Sequence, residues 1–150
     1  MSKAINQASA RRPLTLIAAS LAIATLAAAA ACGDANSGIT TTESGLQIET
    51  LREGDGPSPT ATDRVRIHYR GMLTDSTQFD SSYDLGEPTE RNVDRLIAGF
   101  SEALQLMSVG SHARVTIPPE LAYGETGYGD VIGPNETLIF EIELLDIVER

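Results

Sequence analysis

From Arg64 to Gly71 the chain reads RVRIHYRG, with Val65, Ile67 and Tyr69 on one side of an extended backbone and Arg64, Arg66, His68 and Arg70 on the other. Successive side chains of a strand point to opposite faces, so strict alternation dictates a strand with one dry face and one wet face. GLQIETL at 45–51 and HARVTI at 112–117 have a similar pattern, and TLIFEIELLDI at 137–147 sets Leu138, Phe140, Ile142 and Leu144 on one face. Half-buried strands with short connections build an antiparallel sheet. One segment breaks the period: Leu96, Ile97, Phe100, Leu104 and Met107 recur at helical spacing, and Gly110 lies just beyond as a stop. A helix this short is not stable alone, so it is expected to lie across one face of the sheet. The expected fold is α+β, with two long connections at 72–95 and 118–136 of the kind that carry function.

Ahead of the strands, Lys3, Arg11 and Arg12 precede LTLIAASLAIATLAAAAA, an uncharged run of 18 residues from Leu14 to Ala31. A basic start followed by an apolar stretch of small residues is the layout of a secretory leader, and the run is short and weakly apolar for a spanning helix. Residues 1–31 are therefore read as a cleaved leader. Residues 32–44, CGDANSGITTTES, are read as a flexible tether with little to bury, and the folded domain as 45–150. Cys32, the only cysteine, has no partner for an internal disulfide. AAAAACGD resembles the lipobox of bacterial lipoproteins, in which a cysteine after small residues is lipidated and becomes the first residue. That pattern usually has Leu three positions earlier, where this chain has Ala29. Two outcomes stand: a lipidated Cys32 that anchors the exported chain to a membrane in the cell envelope or periplasm, or a leader cut elsewhere that leaves a free thiol.

Beyond residue 31 the chain carries eight arginines, no lysine and 21 carboxylates, a formal charge of −13. Such a surface repels nucleic-acid phosphates and anionic lipid headgroups. Nucleic acid is not expected as a partner, and membrane attachment is expected only through acyl chains on Cys32. His68 falls on the polar face of its strand and His112 opens another, so both are read as solvated groups rather than metal ligands. Neither follows a Gly-x-Ser-x-Gly elbow. The glycines of LAYGETGYGDVIGP, residues 121–134, mimic a phosphate loop, but no helix or Lys follows and Glu125 and Asp130 would repel phosphate.

VRIHYRGMLTDSTQFDSS, LIAGFSEALQLMSVGSHARVTIPPELAYGETGYGD and PNETLIFEIELLDI succeed one another in an order and spacing that resembles the FKBP-type peptidyl-prolyl isomerases, over about 105 of the 119 residues after the leader. SGLQIETLREGDGPSPTATD resembles the lead-in of bacterial envelope members. The resemblance implies a five- or six-stranded antiparallel half-barrel wrapped on one short helix, in agreement with the periodicity. It implies an isomerase that accelerates X-Pro rotation in the folding of exported proteins, acting on proline-containing polypeptides without metal or cofactor. Position by position, the family's site falls on Tyr69, Phe79, Asp80, Tyr123 and Phe140 as catalytic groups. Leu96, Ile97, Phe100, Tyr128, Val131 and Ile132 fall on the substrate-binding positions. Six of the seven aromatic residues are among them, with Tyr83 the exception. Core filling alone accounts well for Phe79, Phe100 and Phe140, but less well for Tyr123 and Tyr128 in a glycine-rich loop, which reads as a flap over the site. Asp80 matches a buried acid of the family, and because an unpaired buried carboxylate is costly, a hydrogen bond from Tyr69 is expected.

Three positions depart from the family's pattern. Phe100 stands where the pocket floor is often Trp, Leu85 where an Arg can pair with the pocket acid, and Thr89 where an aromatic lies nearby. Activity is still expected, whereas tight binding of macrolide inhibitors is put in question. Chaperone-type relatives carry an extra domain between the positions of Tyr123 and Leu138, and dimeric ones a long N-terminal helical segment. This chain matches neither pattern, so a minimal, monomeric isomerase is expected. The competing reading is a module that uses the same groove to bind chains with little catalysis. For Cys32, intact-mass measurement of the mature protein from membranes is expected to find an acylated N-terminal cysteine; an unmodified Cys32 would refute the anchor.

Overall fold

The alternation of Arg64–Gly71 becomes part of a ten-residue strand in the computed structural model of the chain, which describes residues 38–149. The strands are β1 (Ile39–Thr41), β2 (Gln47–Arg52), β3 (Arg64–Leu73), β4 (Gln78–Ser81), β5 (Thr89–Asn92), β6 (His112–Ile117) and β7 (Leu138–Glu149), with one helix, α1 (Ala98–Leu106), between β5 and β6. They form an open antiparallel sheet in the order β1-β2-β6-β7-β3-β4, and β5 also pairs with β3. β7 pairs with β3 along the whole of that strand, from Arg64 opposite Glu149 to Leu73 opposite Leu138. Two register shifts within this pair bend the sheet, because an extra residue on one strand locally increases twist.

The apolar positions read from the sequence are the core. Val65, Ile67 and Tyr69 on β3, Val115 and Ile117 on β6, and Leu138, Phe140, Ile142 and Leu144 on β7 are all buried. Phe100, Ala103 and Leu104 of α1, with Met107 at its end, are buried in the same cluster. The helix lies against β6, and its neighbours along the chain are fastened to it: the Ser101 hydroxyl donates to the Val93 carbonyl oxygen, and the Val93 N–H donates to the Asp63 carbonyl oxygen at 3.0 Å.

The fold class is the one expected, with three local differences. The sheet has seven strands, because β4 and β5 occupy successive stretches of the same edge of β3, opposite 70–72 and 64–67 respectively, and a short strand is added at the other end. That added strand, Ile39–Thr41, falls in the stretch read as tether: it pairs with Gln47–Glu49, so the sheet begins before Gly45. The helix begins at Ala98, so Leu96 and Ile97 precede it with extended backbones, Leu96 at φ −94° and ψ 166°. The stretch 1–31 read as a leader and Cys32 lie outside the described residues.

Where β4 leaves the sheet, a side chain replaces the ladder. The Tyr69 N–H donates to Ser82 Oγ at 2.9 Å, the Ser82 N–H donates to the Tyr69 carbonyl oxygen at 3.0 Å, and Ser82 is fully buried. His68, read as a solvated group, is instead half-buried: its Nδ1 lies 3.0 Å from Ser82 Oγ and its ring stacks on Tyr83 at 4.6 Å. Its polar face of β3 is covered locally by the excursion after Ser82. Removing the hydroxyl strands a buried N–H, which costs about 1–3 kcal/mol. Ser82→Ala is therefore expected to lower stability by about that amount, read as a lower midpoint in urea at unchanged slope.

Candidate active site

Four rings meet where the sheet faces the helix. Tyr69 projects from the inner face of β3, Phe140 from β7 and Phe100 from the first turns of α1. Phe100 and Phe140 pack edge to face with centroids 5.0 Å apart, Phe79 and Phe140 at 5.6 Å, and Tyr69 and Phe100 at 6.0 Å. Edge-to-face contacts set a positive ring edge against a negative face and hold each ring in one orientation. Phe79 and Asp80 are consecutive on β4 and in a regular strand would point to opposite sides. Here Gly71 pairs with Asp80 and Met72 with Gln78, which leaves Phe79 as the extra residue of a bulge. The bulge re-aims the backbone so that both side chains line one cavity.

That cavity holds about 380 Å³, lined by Tyr69, Phe79, Asp80, Leu96, Ile97, Phe100, Tyr123 and Phe140, together with Ile67, Arg91 and Arg95. A second lobe of about 200 Å³ shares Phe79, Asp80 and Tyr123 and is completed by Tyr128, Gly129, Val131 and Ile132. All eleven groove positions named from the sequence thus come together in two adjoining lobes. Tyr83 lies outside them, against His68.

The second lobe is roofed by the glycine-rich loop. Tyr123 and Tyr128 stack at 4.9 Å, and Tyr128 and Ile132 exchange backbone hydrogen bonds of 2.8 and 3.2 Å that close the loop on itself. Gly127, at φ 66°, makes this closure feasible, since a Cβ there would overlap the Ile132 carbonyl oxygen. Ile132 is buried, whereas Tyr128 and Val131 are more than half exposed and form the rim.

The expected polar contact is present: the Tyr69 hydroxyl donates to Asp80 Oδ2 at 2.6 Å. The setting differs from the expectation of a buried acid, because Asp80 is exposed at the groove mouth, on the outermost strand of the sheet. Burial pushes the Tyr69 hydroxyl up, the hydrogen bond to Asp80 and the charge of that carboxylate add to the effect, and the Arg91 guanidinium opposes it, leaving the hydroxyl at about 12. The Tyr123 hydroxyl is also raised, by burial first and then by the charges of Tyr128 and Asp80. Leu85 is 72% exposed on the Tyr83–Leu85 turn and lines neither lobe, so the positive charge beside Tyr69 comes from Arg91. The sequence reading missed Arg91 and Arg95. The sign that could have found Arg91 is register: it pairs with Val65, so its side chain leaves β5 on the inward face.

A family profile described as FKBP-type peptidyl-prolyl cis-trans isomerase matches residues 56–145. The chain belongs to that family. It is 55% identical over 111 residues to the FKBP-type 22 kDa peptidyl-prolyl cis-trans isomerase of Escherichia coli, a match that covers 74% of this chain and 54% of the relative. It is 46% identical over 110 residues to the outer membrane protein MIP of Legionella longbeachae, covering 73% and 47%. The crystal structure of a peptidyl-prolyl cis-trans isomerase from Pseudomonas syringae superposes with a TM-score of 0.71 at 38% identity, covering 75% of this chain and 82% of that one. The chain spans about half the length of the curated relatives it matches. The FKBP-type fold accounts for the open sheet with a single helix on its inner face, and the groove lies between the two.

Tyr69 couples the groove to pH. Unfolded tyrosine releases its proton near 10, whereas folded Tyr69 holds it to about 12. The stability this confers is fully present below pH 10 and is lost as pH rises toward 12. Denaturation at stepped pH is expected to show that decline, with a smaller one for Tyr69→Phe. In Asp80→Asn, absorbance titration is expected to find Tyr69 ionising at lower pH than in the parent.

Proposed function

We propose that the chain catalyses cis–trans isomerisation of X-Pro peptide bonds in proline-containing polypeptides. The observation that carries this reading is the aromatic-walled cavity of about 380 Å³ between sheet and helix, with the Tyr69–Asp80 hydrogen bond on one wall. Rotation about a peptide bond faces roughly 18–20 kcal/mol and at proline takes tens to hundreds of seconds. The reaction breaks no covalent bond, so it calls for a shaped, water-poor site rather than a nucleophile. The planar amide owes its barrier to resonance that separates charge, and the twisted amide is less polar along C–N. A cavity that strips water from the carbonyl therefore favours the twisted form, provided the walls hold it.

Phe100 is the floor under the proline ring, Leu96 and Ile97 flank it, and Tyr69, Phe79 and Phe140 are the walls. Ile97 precedes the first turn of α1, where backbone N–H groups have no partner within the helix, and its N–H donates to the substrate backbone. The Tyr123 hydroxyl donates at the flap side. Asp80 positions Tyr69 and adds electrostatic support, and no proton transfer is assigned to it. The basic and apolar start of the sequence and the name of the Legionella relative support a role in folding exported proteins at the cell envelope, with Cys32 as a lipid anchor; the proposal takes the acting form to be a monomer. The same groove is where macrolide inhibitors would dock.

The test is kcat/KM on X-Pro peptides. Phe140→Leu, which keeps the core filled but removes the ring, is expected to fall about tenfold or more, each tenfold being about 1.4 kcal/mol; Phe140→Ala is expected to fall further. Asp80→Leu is expected to fall as well, and an unchanged value would remove its positioning role. A parent protein no faster than Phe140→Ala would instead support a groove that binds chains without catalysing.

A further inference from the structure

We infer that the groove selects peptides carrying a carboxylate next to the proline, and that Arg91 and Arg95 receive it. This rests on the isomerase reading for the proline itself and adds the chemistry of its neighbour.

Both arginines line the larger lobe together with Phe100 and Phe140, and neither lines the lobe under the flap. Arg91 lies opposite Val65 on the inward face of β5, whereas Glu90 faces outward and pairs with Arg64 and Arg66. Arg95 ends the short Val93–Arg95 turn that leads into Leu96. Among the described residues, Arg52, Arg64, Arg66 and Arg114 make ion pairs with glutamates, and Arg70 lies over the Tyr83 ring. Arg91 and Arg95 make no ion pair there, in a chain with 21 carboxylates to draw on.

The charges facing the lobe are few. Asp80 is the one carboxylate that lines it, and its Oδ2 is taken by Tyr69. Asp94 adjoins Arg95 in the chain but does not line the cavity. Two guanidinium groups against one engaged carboxylate leave the lobe positive inside a strongly negative protein. Arg91 is partly steadied, since its Nη1 donates to the Glu90 carbonyl oxygen at 3.1 Å. A guanidinium has five N–H donors in a planar fork, so enough are left for a carboxylate of the bound chain.

The proposal reverses the sign that net charge alone would give. A surface of −13 disfavours any acidic peptide at long range, so a preference for Glu can only come from local cations. Capped tetrapeptides with Glu or Gln immediately before or after proline are titrated into the full chain, and affinity is read from NMR shifts of groove residues. At one of the two positions, Glu is expected to bind about three- to fivefold more tightly than Gln, the range of an exposed ion pair. The preference is expected to fall to one or below in Arg91→Gln/Arg95→Gln and to return in Arg91→Lys/Arg95→Lys. Taking the Glu-to-Gln ratio within each protein cancels general losses of affinity. A parent ratio of one or less at both positions, or a ratio the double Gln variant leaves unchanged, overturns the inference. Exchange between cis and trans peaks in the same samples reads the isomerase activity separately: absent exchange with an intact ratio refutes catalysis alone, and exchange with a flat ratio refutes the charge selection alone.

Discussion

Phe140 is the contact on which the groove depends. Its ring meets Phe79, Phe100 and Tyr69, and so joins β4, the helix and β3 to the longest strand of the sheet. The same ring is buried in the core, so the wall of the cavity and the interior of the domain are one packed body. Rings that prefer edge-to-face contact do not stack flat on one another, and here they border an open cavity of about 380 Å³ beside a well-packed core. The helix is placed by the same cluster: Phe100 is both its anchor to the sheet and the base of the groove.

A site of this kind works through rigidity. Nothing in the proposed reaction requires a group to change its covalent partners, so the demand on the fold is to hold walls at a fixed separation while excluding water. Tyr69 illustrates how a polar group is kept there without softening the structure. Its ring packs against Phe100, its hydroxyl is held by Asp80, and its backbone N–H is held by Ser82, so each end of the residue is tied to a different part of the chain.

The strands that carry core residues were legible in the sequence, because β3, β6 and β7 have one dry face and the period of two follows from it. The groove's apolar members were legible from the resemblance, and Phe100 and Phe140 from periodicity as well. β5 was not: TERN pairs only with β3 and carries no apolar residue, so no alternation marks it. Its invisibility hid Arg91, whose inward direction exists only once the register with Val65 is known. The bulge at Phe79 was hidden for a similar reason, since an unpaired residue depends on its partner strand. Asp80 lines the groove but is exposed rather than buried: the expectation of burial came from its place directly after Phe79 and its match to a buried acid of the family, while its position on the sheet's rim is not written locally. The start of α1 was misjudged by two residues because Leu96 and Ile97 face the same interior as the helix without belonging to it.

Both outer borders of the sheet are short. On one side β4 and β5 are four-residue pieces separated by the excursion after Ser82, and on the other β1 has three residues. An unbroken border strand offers a row of free N–H and C=O groups on which an extended chain can add itself. The proposed isomerase, acting on unfolded polypeptides, would be exposed to that hazard at every encounter. By cutting its borders into fragments too small to template a new strand, this fold would leave a chain bound under the proposed function little to hold except the groove, and so little on which a β-aggregate could grow.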